Sequence, residues 1–85
     1  MPNEGVTRVT QSISRSLTRA KPEHVEDVVG EAVNQAFGAY VYANAVGETQ
    51  AAGILRLLHK ELMEVDAASP EDRASYVEAL LRRWK

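Results

Sequence analysis

The sequence contains two histidines, His24 and His59, and neither has the neighbours that acid–base chemistry or metal binding would require. His24 falls in the opening turn of a helical segment, and His59 stands beside Lys60 on a polar flank, so both read as surface residues. A di-iron bundle needs Glu-x-x-His on two helices, and no glutamate lies three residues before either histidine. The absence of cysteine removes a thiolate nucleophile, a thiolate zinc site and a disulfide framework. The five glycines stand singly, without the spacing of a dinucleotide or phosphate loop. The sequence therefore supplies no catalytic, cofactor-binding or metal-binding residue, and the expectation is a protein that is not an enzyme and takes no cofactor.

Two residue groups remain that could act on a partner. From Ala32 to Gly47 the chain carries no charge, although a helix that is apolar all round must be enclosed on all sides. Within this run Phe37, Gly38, Ala39, Tyr40, Val41 and Tyr42 form the candidate interface. Gly38 and Ala39 would let a second backbone approach closely, and the tyrosines are residues that anchor interfaces. Self-association is the expectation, with a dimer favoured; the alternative makes the same run the centre of a monomeric bundle. The second group is Arg8, Arg15, Arg19 and Lys21, a basic stretch set among small hydroxyl residues able to touch phosphates. It supports a competing reading as a DNA-binding regulator. Against that reading, the following segments are acidic or balanced, and no helix-turn-helix with a basic second helix can be drawn. A protein partner is expected and a nucleic acid is not.

The elements that must carry these groups are helical. Val6, Val9, Ile13, Leu17 and Ala20 recur at three- and four-residue intervals, which makes a narrow apolar stripe on a first helix rich in serine and threonine. Its composition makes it the weakest helix, and residues 1 to 21 could form a mobile or partner-dependent arm. Pro22, followed by Glu23, Glu26 and Asp27, opens a second helix. There Val25, Val29, Val33, Phe37 and Val41 form one row, with Val28, Ala32, Ala36, Tyr40 and Asn44 beside it, as far as Val46; Gly47 would end the helix in a left-handed conformation. A strict four-residue row winds around the helix and predicts steep crossings, near the ~50° class. Thr49 could cap a third helix with Ala51, Ile54, Leu55, Leu58, Leu62 and Val65 inward and Leu57 at the margin. Ser69-Pro70-Glu71-Asp72 starts a fourth, with Ala74, Val77, Leu80, Leu81 and Trp84 on its apolar side and Arg82, Arg83 and Lys85 at its negative end.

The prediction is a single domain, residues 1–85, all-α, an irregular bundle of three to four helices with the hydrophobic second helix at its centre. An 85-residue chain has room for one core, and without disulfides association is its remaining route to added stability. Length, acidity and helix count are those of acyl carrier proteins, but the Asp-Ser-Leu that bears their prosthetic arm is missing and the second helix opens Lys21-Pro22-Glu23, so that resemblance is rejected. No stretch has the length to span a bilayer, and the first residues lack the apolar core of a secretory signal, so the cytoplasm is the expected location. Charge is segregated: residues 22 to 72 hold ten acids against two bases, whereas both ends are basic, which suits packing of the ends against an acidic middle. Circular dichroism should report helix in well over half of the residues, and substantial strand, for which Tyr40-Val41-Tyr42 is the exposed risk, would refute the assignment.

Overall fold

The structure, a computed structural model, describes residues 4–84. It contains α1 (Glu4–Arg19), a 3₁₀ turn (Pro22–His24), α2 (Val25–Ala45), α3 (Thr49–Ala67) and α4 (Pro70–Arg83), and no strand among the described residues. The fold is a small all-α bundle with α2 packed centrally against α1 and α3.

The helix boundaries follow local chemistry, with two differences from expectation. Pro22 opens a 3₁₀ turn whose last residue, His24, caps α2, so the α-helix starts at Val25. Glu48 occupies the cap of α3 and Thr49 is its first helical residue, with no side-chain cap hydrogen bond. Gly47 adopts φ +81 as expected. Its N–H donates to the Asn44 carbonyl (3.3 Å) and the Glu48 N–H to the Ala43 carbonyl (2.9 Å), the paired closure of a Schellman motif. At α4 the Ser69 hydroxyl donates to the Asp72 carboxylate (3.0 Å), while the Asp72 and Arg73 N–H groups donate to the Ser69 carbonyl. Pro70 fills the first position, where no N–H is needed. Lys85 lies outside the described residues.

Packing explains why α2 does not follow its four-residue row. Its buried positions are Val29, Ala32, Ala36 and Ala43, a 3.5-residue repeat that keeps one seam facing a neighbour running alongside. The row Val25, Val29, Val33, Phe37, Val41 instead advances about 40° at each step and rotates out of the core: Phe37 and Val41 are 51% and 47% exposed. Body dimensions of 39 × 21 × 17 Å agree with helices laid lengthwise, since α2 alone is about 31 Å long. The 3.5-residue buried repeat and the elongated body favour neighbours laid alongside α2 over the steep crossing expected from the row.

From α1 the core takes Val6, Ile13 and Leu17, with Val9 packed at its edge. From α3 it takes Ala51, Ala52, Leu55, Leu58, Leu62 and Val65, while Ile54 and Leu57 remain exposed. Helix α4 contributes Val77 and Leu80, with Leu81 and Trp84 half-buried and Ala74 exposed.

Arg73 ties α4 to the end of α3. Its side chain is only 11% exposed and lies 4.0 Å from the Glu26 carboxylate. Its Nη2 donates to the Asp66 carbonyl (3.1 Å) and the Ala68 carbonyl (2.9 Å), satisfying backbone acceptors that the terminating helix leaves without intrahelical donors. Replacing Arg73 with methionine should lower stability by about 1–3 kcal/mol, or roughly 5 to 20 °C in melting temperature for a domain of this size. Glu26→Gln should change it by less than about 0.5 kcal/mol, because that carboxylate is 75% exposed. Thermal melts followed by circular dichroism check both.

Candidate interaction surface

Six consecutive residues of a helix cannot share one face, and the candidates Phe37 to Tyr42 are distributed around α2. Gln35 Nε2 donates to Ser12 Oγ (3.2 Å), which places α1 along that flank. Phe37 lies two residues on, about 200° around the helix, and so faces away from α1. There its ring meets the ring of His59 on α3, with centroids 5.4 Å apart, and the ring of Tyr40 at 6.4 Å. Val41, one turn on, continues the same flank. Ala39 and Tyr40 pack against the core. Gly38 points away from the core, where an added Cβ would meet nothing within 4 Å. Tyr42, 69% exposed, and Val46, 51% exposed, lie on other sides of the helix end.

The structure thus leaves one flank of the α2–α3 hairpin uncovered, opposite α1. On α2 this flank is the stripe Gly30, Val33, Phe37, Val41 and Asn44, of which Gly30 and Val33 are half-buried; on α3 it is Arg56, His59, Met63 and Asp66. Each stripe advances by three or four residues, so each stays on one side of its helix. Each is also a core stripe displaced by one residue, and therefore turned about 100° out of the core. Met63 is 51% exposed. His59, expected as a plain surface residue, is half-buried with its ring against Phe37. Met63 carries no mark in the sequence, because the apolar periodicity of α3 picks out the stripe Ala51, Leu55, Leu58, Leu62 and Val65 instead.

Arg8, Arg15 and Arg19 are exposed and, at spacings of seven and four, lie together on the outer face of α1; Lys21 follows in the connection to the 3₁₀ turn. Arg8 pairs with Glu4 at 3.5 Å. The four residues therefore form a stripe and its extension along one edge, remote from the Phe37 flank.

The clefts between helices are open grooves. The one where α1, the 3₁₀ turn and the start of α4 meet, about 430 Å³, is lined by apolar side chains with Glu23, Glu26 and Arg73. Among the described residues no group of three or more histidine, aspartate or glutamate side chains is placed to hold a metal ion, and no helix is long and apolar enough to cross a membrane. A comparison with protein-family models, curated proteins and solved structures found no match to this chain.

Proposed function

We propose that this chain is a small non-catalytic protein–protein interaction module, an adaptor, regulator or inhibitor, that associates with copies of itself. The observation that carries the reading is the exposure of Phe37, Val41 and Met63 on one flank of the central hairpin. A monomeric core would bury them. Large apolar side chains grouped on a surface mark sites of association more often than scattered ones do. The uncharged run from Ala32 to Gly47 supports the reading, because a partner helix would meet no ionised group to desolvate along it. A chain of this size without cysteine suits a reducing compartment, and we place its action in the cytoplasm.

The competing function is DNA binding through the outer face of α1. The shared face of Arg8, Arg15 and Arg19 favours it; the ten acids between residues 22 and 72 oppose it. A gel shift that weakens steeply with salt and is lost on Arg15→Glu would support this alternative.

Light scattering in neutral buffer should report a dimer or larger assembly at tens of micromolar protein. Phe37→Ala should weaken association by about tenfold or more, as expected for a central interface aromatic, while leaving the helical signal in place. Leu62→Ala, at a fully buried position, should instead lower the stability of the subunit by about 2–5 kcal/mol. A clean monomer at tens of micromolar would overturn the self-association reading.

A further inference from the structure

The uncovered flank of the hairpin carries a charge pattern that is complementary to itself. The charges on its α3 stripe are Arg56 and Asp66, ten residues and thus about 15 Å apart along the helix, with Lys60 and Glu64 on the adjoining exposed face. Midway between them are His59 and Met63. Because α2 and α3 run antiparallel with Phe37 level with His59, Arg56 is level with Tyr40 and Val41, and Asp66 with Gly30. Glu26, one turn beyond Gly30, has its carboxylate 4.0 Å from the Arg73 guanidinium and belongs to the groove with α1 and α4. On α3 the flank is therefore acidic at its Asp66 end, basic towards Arg56, and without a full charge on the stripe between them.

From this we infer that the occupant of the flank is a second copy of the chain, stacked hairpin on hairpin about a two-fold axis perpendicular to the helices, so that Arg56 of each copy meets Asp66 of the other. The inference rests on the self-association reading and specifies its surface and register. A two-fold axis parallel to the helices would instead set Arg56 over Tyr40 and Asp66 over Gly30 of the other copy, leaving both charges without a partner, which disfavours that arrangement. The perpendicular axis passes level with Gln35 on α2 and Glu61 on α3. It sets His59 over Met63 of the other copy, a favourable sulfur–aromatic pairing. It sets Phe37 over Val33 and Val41 over Gly30, so that large side chains on one copy meet smaller ones on the other. Gly30 has open space where a Cβ would stand, so nothing within its own subunit fills that position.

The area is adequate. A hairpin of 21- and 19-residue helices presents a face about 30 Å long. With axes 8–10 Å apart it is roughly 20 Å wide, or on the order of 600 Å² in projection, comparable with the ~800 Å² of accessible surface each partner buries in a stable complex. The product is a four-helix layer in which each copy covers the side of the hairpin that α1 leaves open.

A charge exchange tests the register. Arg56→Asp and Asp66→Arg, each alone, place like charges together at both ends of the two-fold pair and should each raise the dimer dissociation constant about tenfold or more. Combining both substitutions in one chain should restore association. Mixing the two single variants in equal amounts should give a one-to-one heterodimer by native mass spectrometry, tighter than either variant with itself. Circular dichroism reports whether each variant keeps its helices; if one does not, Arg56→Ala or Asp66→Ala replaces it, with about threefold weakening expected. A wild-type dimer whose dissociation constant is unchanged by either charge reversal, or a mixture that forms no heterodimer, would overturn the register and leave self-association standing. A wild-type chain that is monomeric at tens of micromolar would overturn both.

Discussion

The seam between α2 and α3 is built largely from alanine on the α2 side, and the rest of the molecule depends on it. Ala32, Ala36 and Ala43 face Leu55, Leu58, Leu62 and Val65 across a short turn closed by Gly47. Small residues on one helix let the leucines of the other reach its backbone, so the two can lie close along their lengths. The same choice leaves the large side chains of α2 without a place inside. Phe37, Val41 and Tyr42 are displaced to the sides of the helix, where the remaining two helices are too few to enclose them. A modest core and an exposed apolar flank are thus two results of one packing decision.

Much of the architecture is legible in the sequence because its punctuation is local. Pro22, Gly47 and the Ser69-Pro70 pair act through φ preferences and missing or supplied hydrogen bonds, which depend on little beyond the adjacent residues. The apolar stripes of α1, α3 and α4 also survive into the fold, because each presents one narrow face to the hairpin or to each other. Helix α2 was harder. Where a segment is apolar on nearly every side, periodicity cannot indicate which side faces inward, and the row of largest residues is a poor guide when the neighbour selects the smallest ones.

The interaction surface was legible only in part, for a related reason. The sequence singles out residues 37 to 42 by composition, but a surface is assembled across elements, and half of this one comes from α3. Met63 and His59 carry no mark of their own until the hairpin sets them beside Phe37. Arg56 and Asp66 read from the sequence as ordinary solvated charges, and the proposed pairing between copies depends on their level along α3. Segregation of acids in the middle of the chain and bases at its ends is too coarse to suggest it, since both residues lie within the acidic middle.

Arg73 places its guanidinium on the last carbonyls of α3 while its backbone belongs to the first turn of α4. Release of α4 from the bundle therefore removes the donors that finish α3, and fraying of α3 removes the acceptors that seat α4. The two segments should open as one cooperative unit, exchanging their amide protons together and below the free energy of global unfolding. The hairpin seam, with its own Schellman closure, lies outside that unit, so the flank around Phe37, His59 and Met63 can persist while α4 and the last turn of α3, with Asp66, open and close.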